Sequence, residues 1–150
     1  MPNTPALIGK GAAAFSLGAL ATAADAEIAR QLLGSVGEVV QTEESLLDAV
    51  TGLSGSGPAY VYLFIEALID AGVKNGLNHE QANALAIQTT IGAAHMVKET
   101  GQTPAELREM VTSPGGTTLA GLKALDEANF ATICGQAVDA ATKRSKELGK

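Results

Sequence analysis

Residues 58–75 read Pro-Ala-Tyr-Val-Tyr-Leu-Phe-Ile-Glu-Ala-Leu-Ile-Asp-Ala-Gly-Val-Lys-Asn, apolar on nearly every side. The polar exceptions Glu66, Asp70 and Lys74 recur every four residues, so a helix here is wet along one thin line. A helix with so narrow a polar stripe buries most of its faces, at the centre of a bundle or in a subunit interface. That demand constrains every other part of the chain.

From Thr42 onward the remaining segments also read as helix. Residues 43–53 place Leu46, Leu47, Ala49, Val50 and Leu53 at helical spacing. Asn78 with Gln81 three residues later is a capping-box pattern, opening a helix that runs to about residue 99, before Gly101. Thr103, Pro104 and Glu106 give a stronger start: a cap, a proline at the first helical position and an acid at the third. That short helix ends at the Ser-Pro-Gly-Gly of residues 113–116, and another spans residues 117–127. The last helix sets Phe130, Ile133, Cys134, Ala137, Val138 and Ala141 on one face, with Lys143, Arg144 and Lys146 suiting its C-terminal end.

The first forty residues differ. Pro2 and Pro5 enforce an extended or turn segment. Residues 12–17 and 37–41 read as short strands around a helix at 25–33 that presents Ile28, Ala29 and Leu32 on one side. This is the cadence of an α/β layer, but two short strands make a marginal sheet alone.

Composition narrows the function. The chain is 46% hydrophobic yet 3% aromatic, with 17 Gly and no Trp, so close helix–helix approach is expected rather than a core of large rings. A net charge of −6 leaves no electrostatic footprint for nucleic acid. The single Cys134 excludes an internal disulfide, fits a reducing compartment, and is expected in the packed core. Lys10, the apolar residues 11–20 and the small residues 21–23 imitate a secretory signal, but one basic residue, two leading prolines and few strong hydrophobes argue against it. No run reaches the roughly 18 apolar residues of a membrane span.

Two glycine-rich breaks interrupt the helices. Ser54, Gly55, Ser56 and Gly57 contain a Gly-x-Gly, but it follows a helix rather than a strand and so lacks the context of a dinucleotide fingerprint. A plain connector explains it equally. Ser113, Pro114, Gly115, Gly116, Thr117 and Thr118 put two glycines and two hydroxyls at the mouth of a helix. Free N–H groups and the positive end of the helix dipole there suit a carboxylate or phosphate, while the plain alternative is a turn capped by Thr. His79 falls in a capping turn facing solvent. His95 has no partner at metal-ligand spacing, and Glu43 with Glu44 complements a helix start.

These breaks carry a resemblance. Met1 to Pro5 (MPNTP), Asp48 to Tyr60 (DAVTGLSGSGPAY), Gly72-Val-Lys74 with Gly76-Leu77, and Thr112 to Thr118 (TSPGGTT) are together similar to pyrroline-5-carboxylate reductase. The resemblance extends over essentially the whole chain. It implies a mainly α fold: a helical dimerisation bundle at 42–150, like the C-terminal domain of 6-phosphogluconate dehydrogenase, after a short α/β remnant of a Rossmann domain at 1–41. It implies NADPH- or NADH-dependent reduction of 1-pyrroline-5-carboxylate to L-proline by a cytoplasmic enzyme. The partners implied are a small-molecule substrate and a second copy of the chain, with larger rings in some members, and neither nucleic acid, membrane nor metal.

By the same resemblance, Glu44, Gly115, Gly116, Thr117 and Thr118 bind substrate, and Thr118 assists protonation of the ring nitrogen. Asn3, Thr4, Pro5, Ser54, Gly55, Ser56 and Gly57 lie near the nicotinamide. Met110 stands where some members carry an Asn that touches the cofactor. Most of the cofactor-binding domain is expected outside these 150 residues, so the chain alone is expected to be inactive. The alternative is a helical dimerisation module with no turnover of its own.

Overall fold

A computed structural model describes residues 1–149. They divide into two compact units, Met1–Val61 with the chain from Thr132 onward, and Tyr62–Ala131.

The first unit opens with a 3-10 turn, Thr4–Ile8, followed by β1 (Gly11–Phe15), α1 (Ala23–Gly34) and β2 (Gly37–Gln41). The strands pair in parallel, Ala12 with Glu38 and Ala14 with Val40, because α1 carries the chain back to the same end of the sheet. Only small side chains are buried here: Ala13, Ala14 and Ala26. Arg30 lies 5.8 Å from the Phe15 ring and donates to Gln41 Oε1 at 3.1 Å, closing one end of the layer. The strand–helix–strand order read from the sequence is present.

A single helix over residues 43–53 is not. The segment is instead a 3-10 turn (Glu44–Leu46), one turn of α2 (Leu47–Val50) and a π-turn (Thr51–Gly55), in which the Ser56 N–H donates to the Thr51 carbonyl at 2.8 Å. Tertiary contacts override the simple periodicity. Gly52 is buried against α7 (Phe130–Leu148), and a Cβ there would collide with the Thr142 hydroxyl and come 2.8 Å from the Val138 carbonyl oxygen. The Tyr60 hydroxyl reaches the Gly52 and Ala137 carbonyls, both at 3.3 Å, and Ser145 Oγ donates to Asp48 Oδ1 at 2.6 Å.

The second unit contains α4 (His79–Thr100), α5 (Pro104–Met110) and α6 (Thr117–Glu127), with parts of α3 (Gly57–Lys74) and α7. Its buried residues are Ala82 and Ala86. A Cβ on Gly72 would lie 3.0 Å from Ala82 Cβ, so α3 and α4 approach closely there, as the small-residue composition implies. Phe64 and Phe130 form a tilted ring pair at 6.2 Å.

One burial expectation is narrowed and another corrected. No residue of α3 is buried within this chain; Tyr62 is 58% and Leu63 66% exposed. Cys134 is exposed too, on a helix whose Ile133 is 55% exposed. Much of the apolar surface of these helices stays exposed among the described residues, which fits the interface reading better than the bundle-centre one.

Capping boxes start α1, α4 and α5, at Thr22/Asp25, Asn78/Gln81 and Thr103/Glu106. Asp25 is held below the usual carboxylate range first by the Thr22 hydroxyl and then by its backbone N–H. Glu106 is lowered first by the Thr103 backbone N–H and then by its hydroxyl. A carboxyl lowered in the folded state stabilises fully above its unfolded pKa and loses that contribution as pH falls through the folded value. Protection of the Thr103 amide, which donates to Glu106 Oε2, is therefore expected to be constant near neutrality and to fall below about pH 4. Glu106→Gln should flatten that profile, which amide exchange at varied pH would read.

Candidate functional site

Three helices satisfy their own first turns, but α6 does not. Its N-cap is Gly116, in extended conformation, with no side-chain hydrogen bond and no acid in the first turn. Gly115 before it has φ +72°, a left-handed conformation that an L side chain strains to adopt. The turn closes through the Gly116 N–H on the Ser113 carbonyl at 3.0 Å, and a Cβ on Gly116 would run into the Ser113 hydroxyl. The glycine pair is thus required twice, once for conformation and once for space. It leaves the N–H groups of Thr117 and Thr118 at the positive end of the α6 dipole, without a side-chain acceptor. Such an end accepts an anion from outside.

Thr118 is half-buried and Thr117 exposed. Thr118 also borders an apolar groove of about 420 Å³ with Val97, Leu107, Met110, Val111 and Leu122. Met110 is therefore one wall of a greasy slot beside the hydroxyl, at the end of α5. The Thr-capped alternative for this turn is not what the structure shows, because the cap position falls on Gly116.

The other site candidates lie in the first unit. Asn3 meets the 54–57 turn directly, its Nδ2 donating to the Ser54 carbonyl at 3.0 Å while its Oδ1 accepts from the Ala12 N–H at 2.9 Å. Ser54 Oγ is committed to the Val50 carbonyl at 3.1 Å. Among the described residues the Thr4 and Ser56 hydroxyls have no such partner. Pro5 lies within the 3-10 turn, and Gly55 faces the Met1 side chain. Glu44 opens the Glu44–Leu46 turn, exposed, its carbonyl accepting from the Leu47 N–H and its side chain without a hydrogen bond or ion pair among the described residues. His79 is exposed, and His95 Nδ1 pairs with Glu99 Oε1 at 2.6 Å on the exposed side of α4. Among the described residues no three His, Cys, Asp or Glu are gathered to hold a metal.

Sequence reading missed the Asn3–Ser54 link and the Tyr60 bridge. A signal for the first existed: Pro58 stands four residues after Ser54 and has no N–H to give that carbonyl.

Fold and turn together define a mainly helical chain with one βαβ element, in which the start of α6 stands uncapped behind a glycine pair. Comparison with known proteins agrees. Residues 44–148 match the family described as pyrroline-5-carboxylate reductase dimerisation. A pyrroline-5-carboxylate reductase of Glycine max is 53% identical over 148 residues, covering 99% of this chain and 54% of the relative. The crystal structure of Plasmodium falciparum pyrroline carboxylate reductase with NADP bound matches with TM-score 0.92 and 41% identity, over 100% of this chain and 62% of that one. The reductase structure from Coxiella burnetii matches with TM-score 0.96 and 40% identity, over 100% and 56%. The chain belongs to the pyrroline-5-carboxylate reductase family, and it spans about half the length of the curated relatives it matches.

The left-handed Gly115 gives a direct check. Nothing lies within 4 Å of a Cβ built there, so Gly115→Ala tests conformation without a clash. It is expected to cost about 1–2 kcal/mol, read as a lower urea midpoint at unchanged slope.

Proposed function

We propose that this chain supplies the substrate-binding and dimerisation half of an NAD(P)H-dependent pyrroline-5-carboxylate reductase, which forms L-proline from 1-pyrroline-5-carboxylate. The bare start of α6 behind Gly115 and Gly116 carries the reading. It offers two amides and a dipole to the substrate carboxylate, where the other capped helices fill the same positions with their own side chains. Residues 42–150 form the helical domain and residues 1–41 the end of a nucleotide-binding layer, in cytoplasmic protein. No helix of the described residues is long and apolar enough to cross a membrane.

Each residue then has a task. Thr117 and Thr118 present backbone N–H groups to the carboxylate, with Gly115 and Gly116 shaping the turn, because the Gly116 N–H is held by the Ser113 carbonyl. The Thr118 hydroxyl, one position into the helix, hydrogen-bonds the ring nitrogen and assists its protonation. Glu44 lines the proline site. Asn3, Thr4, Pro5 and the 54–57 turn flank the nicotinamide end of NADPH or NADH, which is held mainly by the nucleotide-binding domain. Bound cofactor supplies the hydride that the C=N carbon takes up, and the nitrogen takes the proton. The C=N double bond becomes a C–N single bond and the ring becomes proline.

The exposed apolar faces of α3 and α7 support homodimerisation through the helical domain, with larger assemblies of dimers built on it. They also favour the second reading, a module that pairs without turnover of its own. The purified 150-residue chain is expected to sediment as a dimer and to show no NADPH oxidation with pyrroline-5-carboxylate. Measurable turnover by that chain would refute the division of labour, and a monomer at micromolar concentration would refute the pairing.

In a full-length reductase carrying these residues, Thr118→Ala is expected to lower kcat by about 100-fold, in the range of a lost proton-transfer partner. NADPH affinity, read by fluorescence titration, should move far less. An equal loss of both would remove Thr118 from the chemistry.

A further inference from the structure

We propose that Asn3 is a positioning residue: it supplies the hydrogen bond that Pro58 withholds and so fixes the 54–57 turn beside the nicotinamide end of the cofactor. The cofactor part rests on the functional reading above; the positioning part rests on geometry alone.

In a continuous α-helix the carbonyl of residue 54 accepts from the N–H of residue 58. Residue 58 is proline, so that donor does not exist. The next amide is also taken, since the Ala59 N–H donates to the Ser56 carbonyl at 3.0 Å. The Ser54 carbonyl would be an unpaired acceptor in a half-buried segment, which costs free energy. Asn3 Nδ2 occupies it at 3.0 Å, from 51 residues earlier in the chain.

The other end of the same amide is used as well. Asn3 Oδ1 accepts from the Ala12 N–H at 2.9 Å, at the start of β1. One planar group therefore ties the Thr4–Ile8 turn, the β1 edge and the π-turn into a fixed relation. Aspartate would keep the Ala12 bond but bring no donor to Ser54, and alanine would lose both. Because the amide is consumed internally, the Thr4 and Ser56 hydroxyls are the groups left to meet a ligand. Asn3 acts through the turn it holds.

Three variants of the 150-residue chain test the geometry by amide exchange: Asn3→Asp, Asn3→Ala, and Asn3→Ala combined with Pro58→Ala. Asn3→Asp is expected to speed exchange at Gly55, Ser56 and Gly57 by about tenfold while Ala12 stays protected. Asn3→Ala should release both places. Returning an N–H at position 58 should restore protection at 55–57 in the double variant, a non-additivity that generic destabilisation would not produce.

The same substitutions in a full-length reductase are then titrated with NADPH and, separately, with L-proline. NADPH affinity is expected to fall several-fold in Asn3→Asp and to recover when Pro58→Ala is added to Asn3→Ala, with L-proline affinity steady. Unchanged exchange at 55–57 in Asn3→Asp would overturn the positioning role. Faster exchange with unaltered NADPH affinity would overturn its link to the cofactor. If the unsubstituted enzyme binds no NADPH, the functional reading fails instead, and the exchange data alone decide whether Asn3 holds the turn.

Discussion

The structure depends on apolar helix surface that the chain cannot cover by itself. In each compact unit the buried hydrophobic side chains are alanines, and nothing as large as valine is buried. Burying an alanine methyl contributes on the order of 1 kcal/mol, too little to offset the ordering of long helices. The stabilising area has to come from contact with another surface. The sequence is arranged for that: α3 keeps its charge in one line, and its remaining faces are available for packing. The family description of the matched region, reductase dimerisation, agrees with this demand.

Against that background the treatment of helix starts becomes informative. Thr22, Asn78 and Thr103 each close a reciprocal box with a residue three positions on, so those ends have no need of a ligand. At α6 the amides of Thr117 and Thr118 are left without a side-chain cap behind a glycine pair. A bare end costs stability of its own, which the three boxed helices avoid.

Much of this was legible in the residues. The Thr-Pro-x-Glu and Asn-x-x-Gln signals set the α5 and α4 starts because capping is decided within four residues. The Gly-Gly-Thr-Thr break marked the α6 start at Thr117 for the same reason. Residues 43–53 were misread because their apolar spacing carries no trace of α7 approaching Gly52. That approach depends on Val138 and Thr142, some ninety positions away. Cys134 was placed in the core, and α3 at a bundle centre or in a subunit interface, because periodicity reports that a face must be covered without saying by which chain. The Asn3–Ser54 bond joins distant segments, and only the missing N–H of Pro58 hinted that an outside donor was needed.

Those reciprocal boxes also bear on how the molecule comes together. Each is assembled from neighbours in sequence, so α1, α4 and α5 can begin to wind within microseconds, before any distant contact exists. If the helices pair as proposed, the meeting of two chains follows these local events, and its frequency rises with the number of molecules per volume. A newly made chain in a dilute setting would linger with greasy flanks bare, vulnerable to proteases and to the wrong neighbours, until a fitting mate arrives.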